Sequence, residues 1–441
     1  MKPSVNIAWP RLSVVVLLAC LFGLDAPAQQ QLTPDQFASD FDLAWTKLRD
    51  DYAYFGKKQT DWRRVRELYR PELARVKGKA DFVALLERVL GELYDDHAGL
   101  SVNTRTSPRL VPTGLDVWAE WRAGRAVVTQ LRRGFSAEQA GLRVRMEIVS
   151  VNGVPVAEAA ARRLPKSLRR ADEDSRNWAL RAVLAGTHDL PRTIVAKRPR
   201  GPATVYRLDL PTHTTVDAYR YEPRVEWKAL PRGIGYVKIN DLISTEIVAQ
   251  FDAALEGLKE SRGLILDLRD IPRGGNTDVA EPIMGRFIDH TSGYQQVVPL
   301  RGPAYVKRVS PRGRWTYRAP VVVLVNRWTA SMGEGTAIGL DGMRRATVVG
   351  TRMAGLNGGV FTLELPNTKI AINYPGERLN HIDGTPRENF SPPVLVNLAD
   401  RRLSRFPDPI FEIGRRTLQK LIDSHSRSAH NPRAHPALRH G

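Results

Sequence analysis

The chain has 441 residues, which at roughly 100–200 residues per domain points to several domains. Its 42% hydrophobic content supports large cores and excludes an intrinsically disordered protein. The formal charge of +19 is scattered, often beside acids as in Arg66-Glu67 and Arg269-Asp270, and no helix-turn-helix, zinc-finger or RRM pattern accompanies it. A nucleic-acid partner is therefore not expected.

In chain order, Lys2 and Arg11 form a basic n-region, Ser13 to Leu24 an apolar h-region, and Ala26-Pro27-Ala28 a small-x-small cleavage site. This is the pattern of a signal peptide over 1–28, and an exported protein, periplasmic or secreted, is expected. The h-region falls short of the roughly 20 apolar residues of a stable membrane span. Cys20 is the only cysteine. Leu17-Leu18-Ala19-Cys20 resembles a lipobox, but apolar residues continue past it, which favours cleavage after Ala28 over a lipid anchor. The mature chain then has no thiol for disulfides, nucleophilic attack or metal binding.

Residues 29–108 read as a helical domain. Thr33-Pro34-Asp35-Gln36 is a capping box with Pro at the first helical position, and Phe37, Phe41, Ala44, Trp45 and Leu48 line one face. A second amphipathic run covers Phe82 to Leu93 and stops near Asp95-Asp96-His97.

Residues 109–215 change to short β runs: Val117-Trp118-Ala119, Ala126-Val127-Val128, and a strand from Glu147 through an Asn152-Gly153 turn into Val154-Pro155-Val156. Ser136 to Ala140 is a short helix followed by Gly141-Leu142. This series resembles a PDZ domain, with Arg145-Met146 where Gly-Asp is usual. The resemblance implies a loop at Gly114, Leu115, Asp116 and Val117 that receives a peptide C-terminus by β-augmentation, or a module that only braces the rest.

Residues 222–405 read as an α/β domain. Strands are expected at 233–239, 263–268, 320–325, 347–350, 360–363 and 370–372, with a helix from Thr245 to Leu258. Pro320 to Val325 is apolar throughout, as a strand covered on both faces would be. A C-terminal helix over 406–423 and a disordered Ser/His/Arg/Pro-rich tail over 424–441 complete the chain.

Two segments carry chemistry. Ser331 follows the buried strand and the turn Asn326-Arg327-Trp328-Thr329-Ala330 and opens a Gly/Ala-rich helix. Such a junction exposes a side chain at the C-terminal edge of a sheet and offers helix N-terminal amides to an anion. By itself Ser331 reads more readily as a helix cap. The second segment, Asp267-Leu268-Arg269-Asp270-Ile271-Pro272-Arg273-Gly274-Gly275-Asn276, runs from a strand end into a glycine pair that can turn its N–H groups toward a ligand.

Together these resemble the C-terminal processing (tail-specific) serine peptidases and their tricorn-core relatives, whose "DLR-N-GG" loop precedes a "TAS--E" segment. Asp267-Leu268-Arg269, Gly274-Gly275, Thr329-Ala330-Ser331 and Glu334 match, with one extra residue before the glycines and Ile271 where Asn is common. The resemblance implies a multidomain α+β fold: a helical bundle, a PDZ-like module and a ClpP/crotonase-like α/β protease core. It implies a serine endopeptidase that makes an acyl-enzyme at Ser331 from unfolded or C-terminally presented polypeptides. In the Ser/Lys branch a lysine stands where this chain has Leu356, which cannot accept a proton. The Ser/His/Glu branch fits better: Asp95-Asp96-His97-Ala98 and Glu388-Asn389-Phe390-Ser391-Pro392 match its motifs, the second with Ser391 for Gly. The resemblance then implies His97 as base, Glu388 as its orienting group, acting through Asp96, and an oxyanion hole from Met332 with Gly274 or Gly275. His381, seven residues before Glu388, is the alternative base. No cofactor is implied, and no HExxH occurs to suggest zinc. The competing reading is a non-catalytic ligand- or peptide-binding protein on the same fold.

Overall fold

The computed structural model describes residues 32–430, and the expected export signal, Cys20 and the chain beyond His430 lie outside them. Three helices open the chain: α1 (Pro34–Asp51), α2 (Trp62–Tyr69) and α3 (Lys79–Gly91). Thr33 caps α1 through the capping box with Gln36, satisfying two amides that a helix end leaves unpaired. The chain then passes Asp95-Asp96-His97 into the two-residue strand β1 (Gly99–Leu100).

A β-rich region follows: β2 (Val117–Arg122), β3 (Arg125–Leu131), α4 (Ser136–Gln139), β4 (Glu147–Val151), β5 (Val154–Pro155), α5 (Val156–Arg163), α6 (Glu173–Ala185), β6 (Thr193–Lys197) and β7 (Ala203–Arg207). Its sheet runs β2-β3-β4-β6-β7, antiparallel throughout, with β5 on β4.

The remaining elements are β8 (Val225–Leu230), β9 (Ile234–Ile239), α7 (Glu246–Gly257), β10 (Gly263–Asp267), α8 (Thr277–Met284), β11 (Ser292–Pro299), β12 (Tyr305–Val309), β13 (Val321–Val325), α9 (Met332–Gly342), β14 (Thr347–Gly350), β15 (Gly359–Glu364), β16 (Ala371–Asn380), β17 (Val394–Leu395) and α10 (Pro409–His430). The central sheet has the order β17-β14-β13-β10-β9-β8, parallel except for β8. Helices cover both faces. Residues of α7, α8 and α9 pack with Leu264, Leu266, Val321 and Val323 on one side, and Ile410, Leu418 and Ile422 of α10 pack with Ile265, Val322 and Leu324 on the other. That two-sided burial is why β13 is apolar at every position.

The boundaries expected at 108 and 222 are crossed by the packing. β1 pairs antiparallel with β16, and Leu365, Ile370, Ile372 and Tyr374 share one core with α1, α2 and α3. The first helices are thus roofed by a hairpin from the far end of the chain. The tail expected from residue 424 is corrected as well: α10 continues through His430. The stretch Ser424 to His430 holds no Gly or Pro, and the Ser424 and Ser426 hydroxyls donate to carbonyls of Lys420 and Ile422 one turn earlier. Among the described residues no helix is long and apolar enough to cross a membrane.

Candidate active site

Ser331 lies between β13 and α9 with φ 51° and ψ −114°, a backbone state that non-glycine residues avoid at a cost of about 1–3 kcal/mol. The strain is held by its neighbours. The Ser331 amide donates to Glu334 Oε2 (2.8 Å), Gly333 N to Ala330 O (2.8 Å) and Gly335 N to Ser331 O (3.0 Å). The resulting elbow has the strand-to-helix form that can present a side chain at the sheet edge.

The 267–276 loop is zipped onto this turn. Ile271 N donates to Trp328 O (3.1 Å), Ala330 N to Ile271 O (3.3 Å), and Thr329 Oγ1 to Leu268 O (2.8 Å). Gly274 adopts φ 70° and presses against the serine: a Cβ there would stand 2.5 Å from Ser331 Cβ and 3.0 Å from its Oγ. Its own amide is taken by Ile271 O (3.2 Å), so of the two glycines Gly275 is the one whose N–H is not spent in that turn. Asp267 and Arg269 face away, in a buried ion pair extended to Asp408 (Arg269 Nη1–Oδ1 2.7 Å), which makes that half of the motif structural.

His97 arrives from the opposite end of the chain. Its Nε2 lies 3.0 Å from Ser331 Oγ, and its Nδ1 lies 2.5 Å from the main-chain oxygen of Asn357. A carbonyl can only accept, so Nδ1 carries the hydrogen and, in the neutral ring, Nε2 is the acceptor facing the serine hydroxyl. Burial, assisted by the nearby Arg387 guanidinium, pushes the imidazole down to about 4, keeping it neutral over most of the pH range.

Both ring nitrogens are therefore occupied, and neither Asp96 nor Glu388 is among their partners. Asp96 points into the β-rich region and accepts from Arg181 (Nη2 2.6 Å, Nε 3.0 Å). Glu388 Oε1 pairs with Lys57 (2.6 Å), while Oε2 is buried with no protein partner. The neighbour of the histidine that matters is Asp95: Oδ1 accepts from His97 N (2.9 Å), and Oδ2 accepts from Tyr52 Oη (2.6 Å) and Asn357 Nδ2 (2.9 Å). His381 is remote from this cluster, packed on Phe390 and paired with Asp341 and Asp383. Leu356, at the position of the alternative lysine, is buried with Ala330 and Ala354. Sequence reasoning missed Asp95, Asn357 and Arg387. Among the described residues no group of three or more His, Cys, Asp or Glu side chains is placed to hold a metal ion.

The loop expected to receive a peptide is closed. Leu115, Asp116 and Val117 are fully buried, Asp116 is paired with Arg192 (2.7 Å), and a Cβ on Gly114 would collide with Arg109. Its main-chain groups are used: Gly114 N and Leu115 N donate to Leu110 O and Pro112 O, and Leu115 O accepts from Trp328 Nε1 (2.6 Å). What the β-rich region does contact is three of the segments that form the site. Trp328 enters its hydrophobic core, edge-on to Trp118. Arg181 holds Asp96, Arg132 holds Asp270 (2.6 Å), and Thr113 Oγ1 donates to Pro272 O (3.0 Å).

Comparison with known proteins bears on the domains and the fold. Residues 233–392 match peptidase family S41 and residues 33–91 match the tricorn protease C1 domain. The chain thus carries a peptidase family S41 domain. The chain is 26% identical over 400 residues to the chloroplastic C-terminal processing peptidase of Tetradesmus obliquus, covering 83% of this chain and 79% of that one. It is 26% identical over 239 residues to the carboxy-terminal processing protease CtpA of Bacillus subtilis, covering 54% of this chain and 46%, about half, of that protein. Among solved structures, mature CPAF superposes with a TM-score of 0.60 at 16% identity, covering 89% and 99% of the two chains. The photosystem II D1 C-terminal processing protease gives 0.53 at 20% identity, covering 83% and 94%. These structures share the fold, and the S41 match over residues 233–392 supports a serine-type peptidase.

Proposed function

We propose that this protein is an exported serine endopeptidase in which Ser331 is the nucleophile and His97 the general base. The observation that carries the reading is the 3.0 Å approach of His97 Nε2 to Ser331 Oγ, with the tautomer that leaves Nε2 free to accept. In the proposed reaction Oγ attacks the scissile carbonyl as Nε2 takes its proton. The tetrahedral oxyanion collapses to an acyl-enzyme, the imidazolium returns the proton to the leaving amine, and water repeats the sequence to release the acid. Met332 N, at the first position of α9, has no intrahelical acceptor and is supported by the helix dipole, which suits it to the oxyanion. Gly275 N is the candidate second donor. Leu356 supports the histidine assignment because it puts an apolar side chain where a lysine base would stand.

The substrates are proposed to be unfolded or C-terminally exposed polypeptides, by analogy with the carboxyl-terminal processing relatives. The closed 114–117 loop argues that the β-rich region braces the catalytic loops and does not itself seize the substrate end there. Export rests on the N-terminal sequence pattern. Ser331→Ala is expected to abolish hydrolysis of casein while leaving the thermal midpoint within a few degrees of wild type. Casein hydrolysis by the variant at the wild-type rate would remove Ser331 from the mechanism.

A further inference from the structure

The acceptor that fixes His97 is a main-chain carbonyl, so something else must fix that carbonyl. Glu334, three residues after Ser331 and fully buried, accepts from three amides: Ser331 N (Oε2 2.8 Å), Gly355 N (Oε1 2.9 Å) and Leu356 N (Oε2 3.2 Å). Arg387, also buried, spans the same loop from its carbonyl side: Nη2 donates to Leu356 O (3.0 Å) and Gly358 O (2.7 Å). Between these clamped peptides sits Asn357, whose oxygen meets His97 Nδ1 and whose side chain is held by Asp95.

Helix capping accounts for only part of this. A carboxylate in the first turn of α9 is favoured by the helix dipole and reaches back to the amide before the helix. The bonds to Gly355 and Leu356 lie outside the helix, more than twenty residues along the chain, and serve no cap. Three N–H donors face the carboxylate, an arrangement matched to its ionised form, and with the Arg387 guanidinium they oppose the burial that pushes Glu334 up to about 7.

We propose that Glu334 is a positioning residue: one buried carboxylate sets the amide of the nucleophile and the loop carrying the base's acceptor in register, and Arg387 locks the loop from the other side. Asn357 O then does for His97 what a side-chain carboxylate does in the familiar triads. This rests on the reading of Ser331 and His97 as nucleophile and base.

The test compares the full chain with Glu334→Gln and Arg387→Lys. Glutamine keeps the shape but turns an NH₂ donor toward amide donors. Lysine keeps the charge, but its single nitrogen lacks the fork that spans two carbonyls. Each is expected to lower kcat about 10- to 100-fold with KM within about twofold, since a small misplacement of the base costs rate and not ground-state binding. The independent readout is the proton spectrum. A strongly deshielded resonance, assigned to His97 Nδ1–H by its loss in His97→Ala, is expected in wild type and should vanish or move upfield in both variants. Should one variant not fold, the other decides. Unchanged kcat and an unchanged resonance would overturn the proposal, as would loss of the resonance with full kcat. A wild-type protein that shows the resonance but cleaves nothing would instead sink the assignment of function while leaving the positioning role intact.

Discussion

Ser331 and His97 meet at one site but are placed by different means. Ser331 is set chiefly by residues within a few positions of it (an apolar strand, a five-residue turn, and the amides and carboxylate of the next helical turn), with the 267–276 loop bonded onto that turn. His97 is set by long-range contacts: the Asn357 carbonyl 260 positions away, Asp95 bonded to that same asparagine, and Arg387 close enough to influence its titration. In the proposed roles, the nucleophile needs only the core strand, the turn and the neighbouring 267–276 loop to be in place. A base built from distant parts exists only when β1, the 354–358 loop and the core are docked. The β-rich region reinforces the second case by holding Asp96 and Trp328 at once.

That contrast can be broken at several points. The largest effect is expected from removing the long-range partner: His97→Ala should lower kcat/KM by about 10²–10⁴-fold, the usual contribution of a positioned base, with little change in fold. Steady-state kinetics on a peptide substrate would show it, and a loss under about fivefold would mean Ser331 draws on another base. Next is Trp328→Ala. The indole is fully buried in the β-rich core, so its loss should cost about 3–5 kcal/mol, read by chemical denaturation. Because Trp328 is three residues before Ser331, activity should fall even where the protein remains folded. A stable, fully active variant would show that the two regions are independent.

The pH dependence is the smallest and sharpest test. His97 titrates near 4 in the fold and near its ordinary value of about 6.5 when unfolded. Between those values the unfolded chain binds the proton and the folded chain does not. The stability contributed by the neutral ring is therefore complete above about pH 6.5 and is lost as pH falls through that window toward 4. The acid limb of kcat/KM should likewise lie near pH 4. A limb near 6.5 would show that the imidazole is not held in a dry contact with Asn357 and Ser331.

The unequal legibility of the site in the sequence follows from the same contrast. Ser331, the glycine pair and the strands β9, β10, β13 and β14 announce themselves through local apolar runs and turn residues. Asp95 and Asp96 are adjacent and chemically identical, and only the direction of each side chain separates a partner of Asn357 from a partner of Arg181. Glu388 carries the motif, yet its carboxylate pairs with Lys57 of the first helical region. Asn357 acts through a backbone oxygen that every residue possesses, so no residue type signals it. Strand β12 and its partner β11, with Gln295 and Gln296 at its centre, lack a clean alternation and become strands only through pairing with each other and with β16. The buried loop at 114–117 reads as a peptide cradle from its residues alone, and it is closed because its amides are taken by Leu110 O and Pro112 O and its Leu115 carbonyl by Trp328, from over two hundred residues downstream.

The measurement that tests the central claim most directly is covalent labelling by a fluorophosphonate, mapped by mass spectrometry in wild type, Ser331→Ala and His97→Ala. The Ser331–His97 pair predicts one adduct on Ser331 in wild type, none in Ser331→Ala, and labelling slowed by about two orders of magnitude or more in His97→Ala. Undiminished labelling in Ser331→Ala, or a wild-type protein that resists the probe, would contradict it.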